Sequence, residues 1–351
     1  MKTASIIIQP IISVIGTFLL GLSFTMLIPG FLDLSENNIN WTGFFVSSLF
    51  TFFIGFSLIL INRGSNKKIE IKSAFILVIF SWLILSIFAA LPFIASSGNL
   101  SLTDSFFEAV SGLTTTGSTI INDIESTSKG IILWRAILQW LGGIGIIVSA
   151  ISILPNLGVG GMQLFRLESS DTSEKILPRA ASIATEITVL YIALSVVCGL
   201  AYWSIGLTPF DSLVHAMSTI ATGGFSSRSE SFGSFNNINL ETIAIIFMII
   251  SSLPFVLYLK AIRGRPLDIL KDQQVRGFFK TLVIATLVVI LYLTLTKDFA
   301  SFDAVRYSLF NVTSILTGTG FVSANYNDWG TPIIMVFLFI TFIGGCAGST
   351  T

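Results

Sequence analysis

Apolar residues run almost unbroken over roughly 11–30, 41–62, 73–95, 130–154, 181–206, 238–261, 277–297 and 331–347. At a rise of about 1.5 Å per residue, helices of about that length cross a hydrocarbon core of about 30 Å. The pattern predicts an all-α integral membrane protein with about eight spans, the first two forming an N-terminal hairpin. The connections at 96–129, 207–237 and 298–330 are much longer than the rest, at about thirty residues each. Structureless loops of that length are uncommon outside functional sites. Each contains a short, partly apolar segment, too short to span the bilayer as a helix. Backbone that re-enters a membrane is tolerated only where it is buried in protein or lines water. Each long connection is therefore expected to dip into the membrane between two spans.

The three dips resemble one another. The first reads Asp104-Ser-Phe-Phe-Glu-Ala-Val-Ser-Gly-Leu-Thr-Thr-Thr-Gly117, and the second Asp211-Ser-Leu-Val-His-Ala-Met-Ser-Thr-Ile-Ala-Thr-Gly-Gly224. The third runs from Asp303 to Leu316-Thr-Gly-Thr-Gly320. Glu108, His215 and Asn311 each stand nine residues before Gly117, Gly224 and Gly320. Asp104 and Asp211 stand thirteen before their glycine and Asp303 seventeen, a difference that one extra helical turn absorbs. An aspartate opens each run as an N-cap would, and small and threonine residues close it. The spacing predicts a short helix followed by an extended Thr/Gly segment, three times over. Tight helix packing through small residues accounts for the glycine, serine and threonine, but not for the interrupted spans.

Composition agrees with a membrane protein. Only 11% of residues are charged and 53% are hydrophobic, and the mean hydropathy is +0.86. Formal net charge is zero, which gives no field for a nucleic acid or other polyanion. Of the nineteen Lys and Arg, fourteen fall near 2, 63–72, 166–179 and 260–280; Lys129, Arg135, Arg228, Lys297 and Arg306 fall on the other side. The positive-inside rule places the first group, and the N-terminus, in the cytoplasm. No small-residue cleavage site follows the first apolar run, so it reads as an uncleaved span. Cys198 and Cys346 lie far apart in apolar stretches, which speaks against a disulfide framework or a metal site. One histidine, two separated cysteines and no His-Glu-x-x-His pattern leave no nucleophile–base pair for an enzyme, and no phosphate-binding glycine loop is present.

The chemistry fits a cation path. A dehydrating cation needs oxygen ligands, and backbone carbonyls supply them without fixed charge, so that the ion can leave again. Glycine permits the dihedrals that turn successive carbonyls the same way, and the C-terminal end of a short helix is favourable for a cation. The candidate filter segments are Thr114, Thr115, Thr116 and Gly117; Ala221, Thr222, Gly223 and Gly224; and Thr317, Gly318, Thr319 and Gly320. Gly344, Gly345 and Gly348 loosen the last apolar run beside Ser349, Thr350 and Thr351, and are a candidate gate or a helix-packing face. Among single residues, His215 reads as a polar packing position behind its segment or as a catalytic or pH-sensing group, and Arg135 and Arg306 as snorkelling or locally paired. Glu186 is an intramembrane acid, either functional or paired with Arg179 or another basic residue.

Taken together, Ser111–Ser118, His215–Phe225, Leu316–Phe321, Gly344–Ser349 and Leu141-Gly-Gly-Ile-Gly145 resemble the membrane subunits of the Trk/Ktr/HKT potassium-transporter superfamily. The two additional N-terminal spans favour its TrkH branch. The resemblance implies a pseudo-fourfold, potassium-channel-like arrangement of helix–pore loop–helix units around one path, with K+ as the transported ion and no cofactor in this chain. It divides the chain into a hairpin (1–70) and three units (71–160, 161–265 and 266–351). It further implies an intramembrane gating loop at Gly344–Ser349, a homodimer, a cytoplasmic nucleotide-binding regulatory subunit (TrkA-like), and a multi-pass location in the cell inner membrane. Gly117, where sodium-favouring members often carry serine, implies potassium selectivity. Family members continue into a fourth unit, whereas this sequence stops at Thr351. The resemblance thus leaves a fragment, a natural short form, or a non-conducting regulatory subunit as the expected alternatives.

Overall fold

The structure is a computed structural model that describes residues 8–62, 71–96, 98, 100–157, 176–297 and 299–351. Lys2, Arg63, Lys67, Lys68, Arg166 and Lys175, on which the predicted orientation partly rests, lie outside the described residues. Among the described residues all regular structure is helical, and the chain forms two compact units, 1–114 with 118–138 and 115–117 with 139–351.

The first unit begins with α1 (Ile8–Ser35) and α2 (Trp41–Ile61), joined by a five-residue turn. Gly16 and Gly55 face each other: a methyl on Gly16 would lie 2.8 Å from the Gly55 carbonyl oxygen, and one on Gly55 2.9 Å from that of Gly16. Small residues at a crossing let two backbones pack by van der Waals contact where lipid offers no hydrophobic drive. Ile11, Ile15 and Leu19 form the core here, covered by Ile54, Leu58 and Ile84. The outward faces stay apolar, with Phe24 58% and Phe53 65% exposed, as helices that meet lipid should be. α3 (Ile71–Ala89) follows, then the short α4 (Leu91–Ile94), α5 (Leu102–Leu113) and α6 (Lys129–Leu157). Buried Asp33 in α1 accepts the Gly130 amide (2.8 Å) and the Ser128 hydroxyl (3.1 Å), and so caps the start of α6.

The second unit holds Gln139 onward of α6, then α7 (Ile176–Ser204), α8 (Pro209–Ile220), α9 (Ile238–Ser251), α10 (Phe255–Ile262), α11 (Leu267–Lys271), α12 (Gln273–Thr296), α13 (Ser301–Leu316) and α14 (Thr331–Thr341). Two apolar cores organise it. One gathers Tyr191, Tyr202, Phe232, Phe255, Phe310 and Phe321. The other gathers Val275, Leu282, Val289, Trp329 and Phe337.

The run expected as one straight span over 238–261 is instead two helices bent by 90°. Pro254 has no N–H to continue the ladder and stands as the N-cap of α10. The final run is helical only over the eleven residues of α14, and Gly344 (φ +67°) and Gly348 (φ +84°) adopt the left-handed region beyond it. Among the described residues five helices are long and apolar enough to cross a membrane, or six with the bent pair. The expected count of about eight also includes α6 and the last run.

Candidate functional site: three helix–glycine segments

The three short helices are α5, α8 and α13, of 12, 12 and 16 residues. The third is one turn longer, as the offset of Asp303 requires. All three end four residues before their glycine, at Leu113, Leu316 and Ile220. The aspartates are not the N-caps. Ser101 and Thr208 cap α5 and α8 by accepting the amides of Asp104 and Asp211 at 3.1 Å. The aspartates sit at the third helical position, where their charge favours the N-terminal dipole. Ala300 precedes α13 and has no side chain to cap with.

Beyond each helix the backbone follows one pattern. The residue two before the glycine, and the glycine itself, both have positive φ. The values are +55° and +76° at Thr115 and Gly117, +50° and +81° at Thr222 and Gly224, and +68° and +82° at Gly318 and Gly320. Left-handed and right-handed residues thus alternate, a backbone pattern that neither a helix nor a strand follows. Two of these positions are threonine, a β-branched residue for which positive φ is an outlier. Such conformations cost about 1–3 kcal/mol each and persist only where the surroundings enforce them.

Consecutive segments pack backbone to backbone. A methyl on Gly117 would lie 2.1 Å from the Gly223 carbonyl oxygen, and one on Gly224 would lie 2.0 Å from that of Thr319. A side chain at either glycine is thus strained by dihedral and by space. Behind the second segment sits Gln139, wholly buried. Its side-chain amide donates to the Gly223 carbonyl, and its oxygen accepts from the Ser218 hydroxyl (2.8 Å) and the Phe225 amide (3.2 Å). In the sequence Gln139 shows only as a lone amide inside the apolar run over 130–154.

Residues 344–351 hold to the bend between α9 and α10 and to the segments. The Ser252 carbonyl accepts from Cys346 N–H (2.9 Å), and that of Ser251 from Thr350 N–H (3.3 Å). Phe255 N–H, the first of α10, donates to Gly348 (3.0 Å). Each broken end thus finds the partner that buried backbone requires. Thr351 Oγ1 donates to the Thr317 carbonyl (3.0 Å), and Thr222 Oγ1 lies 3.3 Å from Thr350 Oγ1.

His215 is fully buried. Its Nδ1 faces the Asp211 carbonyl (2.8 Å), which can only accept, so Nδ1 carries the proton and Nε2 accepts from Ser226 (2.9 Å). Arg135 does not snorkel: it is 1% exposed and lies 3.6 Å from the buried Glu108 carboxylate. Arg306 makes a two-point pair with Glu241 at 2.7 and 2.8 Å. Glu186 pairs with Arg263 at 2.6 and 2.9 Å; both are well exposed, at 39% and 60%, an ordinary surface pair of small energetic weight. Cys198 and Cys346 are free and buried.

The family model for TrkH, described as a cation transport protein, matches residues 42–351. The Trk system potassium uptake protein TrkH of Vibrio parahaemolyticus is 38% identical over 351 residues, covering 97% of this chain and 72% of its own. TrkI of Halomonas elongata, of the same Trk system, is 45% identical over 281 residues, 79% of this chain and 56% of its own. The chain thus spans little more than half the length of that relative. The crystal structure of the potassium transporter TrkH from Vibrio parahaemolyticus superposes with a TM-score of 0.88 at 36% identity, over 97% of this chain and 71% of that one.

Proposed function

Because the chain belongs to the TrkH family of cation transport proteins, a family of transporters rather than enzymes, we propose that it forms three of the walls of a potassium-selective path. Thr114–Gly117, Ala221–Gly224 and Thr317–Gly320 are the filter segments in this reading. The observation that carries it is the matched pair of left-handed residues at the same two positions of all three segments. Carbonyls turned to one side replace the water of an entering K+ and hold it weakly enough to release it. α5, α8 and α13 end at the segments, so the negative ends of their dipoles favour a cation there. The membrane potential, worth about 2.3 kcal/mol per charge per 100 mV, drives net inward flow.

Residues 344–351, with Gly344, Gly345 and Gly348, act as the gate beneath the segments in this proposal. The support is their hydrogen bonding to the bent helix pair and to Thr317. The wider arrangement is part of the same proposal: a hairpin and three pore units bounded near 70, 160 and 265, a multi-pass inner-membrane location with the N-terminus in the cytoplasm, a homodimer, and a cytoplasmic nucleotide-binding regulatory partner.

The test is growth and rubidium uptake at low external potassium in a bacterium lacking its own potassium uptake. The cells express this chain or the full open reading frame. Rescue that is lost on Gly117→Ser or Gly224→Ser supports the filter. Normal membrane insertion without rescue by either form counts against conduction and favours a non-conducting subunit.

A further inference from the structure

The register that places Glu108, His215 and Asn311 nine residues before their glycines also places them in one wiring pattern. Each reaches past its segment to the chain that leaves it. Glu108 accepts from the Thr119 hydroxyl and from the Ile120 amide (3.1 Å). His215 Nε2 accepts from the Ser226 hydroxyl (2.9 Å), whose oxygen in turn accepts the Arg228 amide (3.0 Å). Asn311 donates to the Ser323 hydroxyl (3.0 Å) and accepts the Ser323 amide (3.3 Å). Thr119 and Ser226 stand two residues after their glycine and Ser323 three after. His215 and Asn311 share a second bond as well. Each donates to the carbonyl four residues earlier in its own helix, at Asp211 (2.8 Å) and Tyr307 (2.9 Å). Glu108 has no proton to give when ionised, and Arg135 stands beside it instead, 3.6 Å away.

Three unlike side chains, a carboxylate, an imidazole and an amide, thus do one job at one register, and all three are fully buried. Buried polar groups need partners in any protein. That need alone does not explain why all three find theirs at the same place in the loop, immediately beyond the glycine. Each links positions eleven or twelve residues apart across its Thr/Gly segment. We propose that Glu108, His215 and Asn311 are positioning residues for the filter. By pinning the outgoing chain to the short helix, they hold the segment's carbonyls at the spacing that favours K+ over Na+. The inference rests on the reading of those segments as a filter.

The test removes the hydroxyl partners rather than the buried side chains, because Thr119→Val, Ser226→Ala and Ser323→Ala change little volume and are the variants least apt to unfold. The full-length protein is expressed in the potassium-uptake-deficient bacterium, its membrane abundance is measured, and rubidium and sodium uptake are compared. One lost hydrogen bond shifts an equilibrium by about fivefold, so the rubidium-to-sodium ratio is expected to fall by about that factor in each variant. The hydroxyl-retaining Thr119→Ser, Ser226→Thr and Ser323→Thr are expected to keep the original ratio. A ratio unchanged in all three hydroxyl-deleting variants at normal abundance, while Gly117→Ser alters it, overturns the positioning role and leaves the filter standing. A ratio that Gly117→Ser also leaves unchanged overturns the filter reading, and the inference with it.

Discussion

Gln139 and Gly223 occupy each other's space. The side-chain amide of Gln139 donates to the Gly223 carbonyl, and a methyl on Gly223 would fall 2.3 Å from the Gln139 Cδ. The glycine makes room for the amide, and the amide fixes the glycine's peptide plane. Gln139 also takes the Ser218 hydroxyl and the Phe225 amide, so it ties the end of α8 to the residues on both sides of Gly224.

Gln139→Leu keeps the volume of the side chain but removes three buried hydrogen bonds. A buried polar group that loses its partner costs about 1–3 kcal/mol. The expected outcome is a lower melting temperature of the purified protein and a drop in rubidium uptake of about tenfold or more. Wild-type melting and uptake in Gln139→Leu would mean that the second segment is held by its own backbone alone.

Glycine substitutions separate space from propensity. Gly224→Ala adds a methyl 2.0 Å from the Thr319 oxygen at a φ of +81°, so uptake is expected to be abolished. Gly21→Ala, in α1, meets nothing within 4 Å and is expected to leave uptake unchanged, with a gain in helix stability of about 1 kcal/mol at most. Gly16→Ala lies in the same helix but faces the Gly55 carbonyl at 2.8 Å; it is expected to lower the melting temperature by parting α1 from α2. Equal effects of Gly16→Ala and Gly21→Ala would disprove the close crossing.

The offsets of nine, thirteen and seventeen residues were legible because a short helix and its glycine form a local unit. The extra turn of α13 followed from counting alone. The break at Ser252–Pro254 was not legible, because apolar content over 238–261 continues through it. Pro254 breaks the ladder locally, but what sustains the break is long-range: the freed carbonyls of Ser251 and Ser252 are taken by residues about a hundred positions later. Gln139 escaped notice for the same reason, since its three partners are 79–86 residues away. The N-caps were misplaced by three residues because Asp serves both as a cap and at the third helical position. Only the geometry at Ser101 and Thr208 separates the two.

On the proposed gate reading, changes in residues 344–351 alter opening rather than selectivity. A side chain on Gly345 would come within 2.5 Å of Thr351 Oγ1 and 3.2 Å of Ser252 Cβ. Gly345→Val is therefore expected to shift this stretch away from the bend and to change the rate of rubidium uptake several-fold. The rubidium-to-sodium ratio should stay as it was. An unchanged rate at normal membrane abundance would remove the gate assignment, and a changed ratio would relocate the effect to the filter.

Two ion pairs of unlike burial give the last prediction. Arg306 and Glu241 are 13% and 3% exposed, whereas Lys129 and Glu36 are 49% and 37% exposed. A solvated pair gains little, about 0–1 kcal/mol, and salt screens it. Removing one member of a buried pair strands the other charge at a cost of about 3–5 kcal/mol. Arg306 also reaches Asn236 (3.0 Å), so it joins the first turns of α13 to the start of α9 and fixes where the third short helix enters. Arg306→Gln is thus expected to lower the melting temperature by many degrees, and Lys129→Gln by few. The exchange Arg306→Glu with Glu241→Arg should recover part of the loss, since the pair's charges are restored even if its two-point geometry is not. Comparable shifts for Arg306→Gln and Lys129→Gln would mean that water reaches the Glu241 carboxylate, and that the position of α13 rests on its apolar contacts instead.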